Sequence, residues 1–233
     1  PGGLHPLEPL IGESEGARHD DQRLERVLAA RRTGSQAFFA STAGQWDRLR
    51  EELFGRGFDL RALAALLDER WAVGDLGCGT GGIAEALAPF VSRVVAVDAS
   101  AAMLKAARRR LGALANVELR RGEMEALPVE EGSLDAAVMA LVLHHLAEPG
   151  RALAEAARVL RPGGRLLVVD MQPHDRSEYR SQMGHVWLGF SEPQLLEWLA
   201  VAGFEGAAVR PPPPEPGAKG PALFAASARR SPR

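Results

Sequence analysis

The chain has 233 residues, one cysteine and a formal net charge of −2, enough for one α/β domain with an appendage. The charge gives no reason to expect nucleic-acid binding, and a lone cysteine excludes a disulfide framework. With no extended apolar run and no signal-like start, a soluble, cytoplasmic protein with no membrane role is expected. Residues 1–19 mix Pro, Gly, His, Glu and Ser without periodicity and read as a loose start. From Asp20 the pattern turns helical, with Leu24, Val27, Leu28 and Arg31 on one face. A second helix is expected over 35–54, weakened at Gly44, and a third over 59–67. Residues 1–69 are therefore expected to be a disordered start and a helical cap or lid, ahead of the main domain at 70–233.

The main domain opens on a short apolar lead-in, Trp71-Ala72-Val73, which runs through Asp75 into Gly77-Cys78-Gly79-Thr80-Gly81-Gly82. An Ala-rich amphipathic segment follows. Strand, glycine turn and helix start is where a parallel α/β sheet binds nucleotide-like ligands. The G-x-G-x-x-G spacing is weak alone. Asp75 lies two residues before Gly77, where an acid can accept hydrogen bonds from an ammonium group. Asp98 ends the next apolar run, where an acid typically holds a ribose diol. A ligand with a ribose and a cationic amino-acid end fits better than a dinucleotide, because carboxylates repel a pyrophosphate. Cys78 reads as a small packing residue, with no base beside it in sequence to activate a thiol.

Further along, 99–111 reads as a helix with Met103, Leu104 and Ala107 inward and a basic C-terminal run that suits the helix dipole. A strand over 116–120 leads to Glu123 and Met124. Leu134 to Leu143 is almost wholly apolar, as a strand buried on both faces should be, and ends in His144-His145. A helix over 148–160 carries Pro149 in its first turn and stops at Pro162-Gly163-Gly164. After a strand over 165–170, the segment 170–190 should overhang the carboxyl end of the sheet and supply an acceptor pocket. Ser191-Glu192-Pro193-Gln194 is a capping box that opens a helix over 195–202. Strands at 204–210 and 222–228 flank a proline-rich connection.

Asp75-Leu-Gly-Cys-Gly-Thr-Gly81, with Asp98 closing the second strand, resembles the S-adenosylmethionine site of class I methyltransferases. Gly122–Pro128, Ser133–Val138 and Arg158–Leu166 resemble that family's adenine segment, fourth strand and following helix-turn-strand, so the likeness covers residues 70–228. It implies a Rossmann-like, doubly wound, seven-stranded α/β sheet with an antiparallel last strand. It also implies S-adenosylmethionine as cofactor, S-adenosylhomocysteine as product and a small-molecule acceptor methylated by in-line displacement. Cofactor contacts then fall on Asp75, Gly77, Cys78, Gly79, Gly81, Asp98, Ala99, Met103, Glu123, Met124 and Ala140. In the family an acid at Glu123 accepts from the adenine amino group; many relatives carry Asp there.

Family position puts His144 and His145 over the sulfonium, and His144, His145 or His174 is a candidate general base toward an acceptor hydroxyl. Trp46, His174, Tyr179, His185 and Trp187 are the acceptor-side candidates. No metal is expected: His174 and His185 lack a short ligand spacing, although Asp170 or His145 could complete a site. The helical start (23–31, Phe38-Phe39, 45–50) and the segment 170–190 resemble methyltransferase domains linked to ArsR-type regulators. That likeness raises an alternative, a SAM-sensing domain without turnover. Leu143-His144-His145-Leu146 and Pro162-Gly163-Gly164 also resemble the ubiquinone/menaquinone (UbiE-like) group, whose acceptors are aromatic and lipophilic. A homodimer is possible.

Overall fold

A computed structural model describes residues 15–55, 57–214 and 217–232; of the loose start expected at 1–19, residues 1–14 lie outside them and 15–19 are helical. The chain divides into two compact units, one running to Asp59 and one spanning Leu60–Arg233. In the first, α1 (Glu15–Thr42) is a single helix of 28 residues. It starts before Asp20 and runs through the boundary expected ahead of Ser35. Only Gly34 interrupts the helix formers there, at a cost of about 1 kcal/mol. The weakness at Gly44 is real: a 3₁₀ turn over Ala43–Gln45 separates α1 from α2 (Trp46–Phe54). Arg50 of α2 donates to Asp59 at 2.7 Å and lies over the Phe58 ring. The third expected helix is shorter, α3 (Phe58–Ala62), followed by a 3₁₀ turn.

The second unit alternates strands and helices: β1 (Ala72–Leu76), α4 (Gly82–Leu87), β2 (Arg93–Asp98), α5 (Ala101–Leu111), β3 (Val117–Arg121), β4 (Leu134–Ala140), α6 (Pro149–Val159), β5 (Leu160–Met171), α7 (Glu178–Met183), α8 (Glu192–Val201), β6 (Phe204–Arg210) and β7 (Leu223–Arg230). The seven strands form one sheet, ordered β3-β2-β1-β4-β5-β7-β6. The first five are parallel and β7 is antiparallel to both β5 and β6. Both faces are covered, which is why the central strands read as unbroken apolar runs. Val95 and Val97 of β2 belong to the same buried cluster as Ala152, Leu153 and Ala156 of α6 and Leu195 and Leu199 of α8. Val94 and Ala96 point the other way, onto Ala84 of α4 and Leu104, Ala107 and Leu111 of α5. Burying each Val or Leu in these layers is worth roughly 1.5–3 kcal/mol.

Two details differ from expectation. Met103 is 46% exposed, because the buried stripe of α5 runs through Leu104, Ala107 and Leu111 and Met103 sits one residue off it. β4 stops at Ala140: Leu141 turns to φ 57°, and the chain continues as a 3₁₀ turn over Leu143–His145. Connections from β1 lead toward β2 and those from β4 toward β5. The sheet order therefore reverses between β1 and β4, opening a crevice at their carboxyl ends.

The segment after β5 folds back over that edge. Phe190 N–H donates to the Met171 carbonyl (2.9 Å), His174 N–H to Leu188 (3.0 Å), and Val186 and Trp187 N–H to the His144 carbonyl (2.9 and 3.1 Å). Gly189 makes the fold-back possible. Its φ is +83°, and a Cβ there would lie 2.1 Å from the Gln172 carbonyl oxygen, which is backbone and cannot swing away. Gly189→Ala is expected to lower the unfolding free energy by about 2–4 kcal/mol, read by urea denaturation. A change within error of zero would show that the segment relaxes freely.

Candidate active site

The glycine turn hangs on the end of β2. Gly77 and Cys78 N–H both donate to the Val97 carbonyl, at 2.8 and 2.9 Å. Gly77 has φ +79°, and a Cβ on it would stand 2.4 Å from Val142 Cγ2, so no other residue fits. Asp98 braces the turn from the side. Its Oδ2 accepts from Gly79 N–H and its Oδ1 from Ser100 N–H, each at 2.8 Å. Ser100 in turn caps α5 by accepting from Met103 N–H at 3.3 Å. From outside, Arg110 donates to the Thr80 carbonyl and hydroxyl, at 3.3 and 3.2 Å.

Asp75, at 2% exposure, lies beneath the turn and accepts from Ala84 N–H at 3.0 Å. Burial pushes its pKa up to about 6; the Ala84 bond opposes the rise and the charge of Asp98 adds to it. The Cys78 thiol is buried and pushed up to about 12, by burial first and then by Asp75 and Asp98. It is a packing residue, not a nucleophile at neutral pH.

The next wall is the loop after β3. Gly122 N–H donates to the Asp98 carbonyl at 3.2 Å, which brings Glu123 and Met124 beside the carboxyl end of β2. Glu123 is exposed, and Met124, Leu127 and Val129 are buried in the core. An ion pair with no sequence signal as a site feature pins this loop to α6. Arg158 contacts both Glu155 oxygens (2.7 and 2.8 Å) and donates to the Val129 and Leu127 carbonyls (2.9 and 3.0 Å). Glu155 also accepts from Leu127 N–H at 2.8 Å. Ala99 follows Asp98 directly, its carbonyl accepting from Arg121 at 3.2 Å. Ala140 is half-buried at the end of β4, next to Leu141, which is 48% exposed. A non-glycine residue at positive φ on this edge is the kind of local strain that collects at ligand sites.

Across the edge, a group of imidazoles closes the far side. His144 is buried, and its Nδ1 is 2.7 Å from Asp170 Oδ1 at the end of β5. Asp170 is fully buried and also accepts from Met171 N–H at 2.8 Å. The His144 ring centroid lies 4.1 Å from that of His145 and 4.3 Å from that of His185; the latter two are 5.2 Å apart. His185 is held below its ordinary pKa by burial first, then by His144, His145 and His174, with Asp170 pulling the other way. At neutral pH it is an uncharged imidazole.

The remaining candidates divide. Tyr179 packs edge-on to His174 and His185, and its hydroxyl accepts from Arg176 at 2.7 Å. His174 Nδ1 accepts from Arg176 N–H at 3.3 Å. Trp187 gives its indole N–H to the Leu146 carbonyl at 2.9 Å and packs with Phe190 and Trp198, so its ring serves the core. Trp46 opens α2 in the first unit, edge-on to Phe38. Among the described residues, no helix is long and apolar enough to cross a membrane.

Residues 74–168 match the family model described as a methyltransferase domain. The chain is similar to a demethylmenaquinone methyltransferase of Clavibacter sepedonicus, 39% identical over 110 residues, covering 47% of this chain and 44% of that one. It is also similar to a ubiquinone/menaquinone biosynthesis C-methyltransferase of Edwardsiella ictaluri, 28% identical over 218 residues, covering 77% and 86%. Among solved structures, a SAM-dependent methyltransferase from Aquifex aeolicus superposes with a TM-score of 0.59 at 25% identity, covering 77% of this chain and 92% of that one. The chain spans only 28%, 44% and 49% of the first curated relatives it matches. These comparisons lend no support to the ArsR-type alternative. Residues 74–168 thus match a methyltransferase domain, within a seven-stranded sheet of the Rossmann-like methyltransferase fold, and match and fold imply S-adenosylmethionine as cofactor.

Asp75 makes the fold pH-sensitive in a direction opposite to most carboxylates. Its native pKa of about 6 lies above the ordinary 3.8, so its contribution is fully present below pH 3.8 and lost as pH rises through 6. By pH 8 that loss is on the order of 3 kcal/mol. Asp75→Asn, which keeps an acceptor for Ala84 N–H, should melt several degrees above wild type at pH 8 and level with it at pH 4. Equal shifts at both pH values in differential scanning calorimetry would refute the burial origin.

Proposed function

We propose that the protein transfers a methyl group from S-adenosylmethionine to a small hydroxyaromatic acceptor in the cytoplasm. The buried Asp75 carboxylate beneath the glycine turn carries this reading. An ionised acid costs stability there unless a cation meets it, and the amino-acid end of S-adenosylmethionine brings an ammonium group. In this reading Asp98, at the end of β2, takes the ribose diol, and Glu123 and Met124 take the adenine edge. The same carboxylates disfavour the pyrophosphate of a dinucleotide.

Methyl transfer is an in-line displacement: the acceptor atom bonds to the methyl carbon as the carbon–sulfur bond breaks, leaving neutral S-adenosylhomocysteine. Positive charge disperses in the transition state, so much of the acceleration comes from holding the acceptor close and aligned. Removing the proton of a ring hydroxyl makes both its oxygen and the adjacent ring carbon better nucleophiles. The wall of His144, His145 and His185, oriented by Asp170, is where that proton leaves. The similarity to quinone methyltransferases supports an aromatic, lipophilic acceptor, and Tyr179 and the exposed Leu141 suit one.

Calorimetry with S-adenosylhomocysteine tests the cofactor half. Wild type should bind it saturably, Asp98→Ala at least tenfold more weakly, and NADH not at all; charge-assisted hydrogen bonds of this kind are worth about 1.5–3 kcal/mol. Because Asp98 also braces the turn, pH gives the cleaner readout. Affinity should fall below pH 6, approaching tenfold per unit, as Asp75 takes up a proton. Flat affinity between pH 5 and 7, or a preference for NADH, contradicts the assignment. Transfer of labelled methyl to a panel of hydroxyaromatics then tests the acceptor class.

A further inference from the structure

We propose that His144, His145 and His185 form a binding site for a divalent transition-metal cation of the zinc type, with one coordination position open to the acceptor. The candidate ligand atoms of the three side chains all lie within 4.8 Å of one another. They come from two separate segments, clamped together by the Val186 and Trp187 N–H bonds to the His144 carbonyl.

The outer hydrogen bonds set the tautomers. Asp170 Oδ1 also accepts from Met171 N–H, so it acts as acceptor in the 2.7 Å contact with His144 Nδ1, which leaves His144 Nε2 facing away as a free acceptor. The Gly184 carbonyl, 3.3 Å from His145 Nδ1, does the same for the neighbouring ring. His185 Nδ1 is buried without a hydrogen-bond partner among the described residues. A carboxylate or carbonyl behind each imidazole is the usual support of a metal-ligating histidine.

Charge points the same way. Asp170 is fully buried, and among the described residues its partners are His144 and the Met171 N–H, with Oδ2 unpaired. A buried carboxylate beside packed imidazoles is costly unless a cation balances it. Ordinary packed histidines would close their hydrogen bonds within the cluster, whereas here a ring nitrogen and a carboxylate oxygen stay open. Metal–nitrogen bonds of about 2.0–2.1 Å bring ligand nitrogens to roughly 3.3 Å apart. The widest gap must therefore close by more than an ångström, and His145, being exposed, can rotate to do so. An all-imidazole set suits Zn²⁺, Ni²⁺ or Cu²⁺ over Mg²⁺ or Ca²⁺.

The role of the cation rests on the methyl-transfer reading; its binding does not. The open position takes the acceptor's hydroxyl oxygen, the O–H bond breaks and the proton passes to solvent. The oxyanion or its conjugated ring carbon would attack the methyl carbon as the carbon–sulfur bond breaks and S-adenosylhomocysteine departs; on the carbon route the ring carbon's own hydrogen would then leave as a proton to solvent, restoring the aromatic ring.

The test titrates chelator-treated, tag-free full chain with Co²⁺, followed by Zn²⁺, while parallel calorimetry with S-adenosylhomocysteine reports on each variant. Wild type should bind one equivalent of Co²⁺ with the visible absorption of a tetrahedral site, displaced by Zn²⁺. His185→Ala and the surface variant His145→Gln should lose that absorption, Asp170→Asn should bind about 10–100-fold more weakly, and His174→Ala should bind as wild type does. Absence of saturable Co²⁺ binding to wild type that still binds S-adenosylhomocysteine would overturn the cation site and leave the methyltransferase reading standing. Binding unchanged in both His185→Ala and His145→Gln would overturn it as well. Cation binding without S-adenosylhomocysteine binding would keep the site and sink the cofactor assignment.

Discussion

Two backbone N–H groups converge on the carboxylate of Asp98, and the geometry of the glycine turn depends on that convergence. Parallel strands end on one edge, so a side chain at the last position of β2 can reach both the turn after β1 and the start of α5. Each bond to the charged oxygen is stronger than a neutral one. Together they hold the glycine turn where Gly77 must take positive φ and where α4 begins with Ala84 N–H on Asp75. If Asp98 is removed, turn, helix start and ligand acid are released together.

Asp75 and Asp170 are both buried at the carboxyl edge, and each is a cost that the fold carries at its site. Asp75 has one backbone donor and no cation, so desolvation raises its pKa. Asp170 leans on an imidazole and one N–H, with an oxygen left over. Such groups lower stability in the free protein and raise it when a ligand supplies the missing charge.

The methyltransferase-domain match ends at residue 168, just before the segment that folds back over the carboxyl edge. Asp170, His174, Tyr179 and His185 all lie beyond it, on the segment that Gly189 folds back over β5. The imidazole cluster is therefore built from both parts, His144 and His145 from the matched segment and His185 from the fold-back that follows it. This follows from α/β architecture, in which the sheet fixes positions and the loops at the carboxyl edge set specificity.

The sequence by itself determined the layered sheet, since apolar runs in β1, β2 and β4, helical stripes and glycine stops are local signals. It also marked Asp75, Asp98 and the glycine turn, because chain neighbours set that geometry. It misplaced Met103 by one residue on the α5 stripe, put a helix boundary before Ser35 where α1 continues, and extended β4 past Leu141, because boundaries hang on weak local preferences. Only the tertiary structure decided that Asp98 grips Gly79, that Arg158 staples the loop after β3, and that Trp187 serves the core. It alone brought His185 onto His144 and His145 across some 40 residues of chain. Contacts of that range depend on where β4 and β5 end side by side, which spacing in a linear chain does not encode.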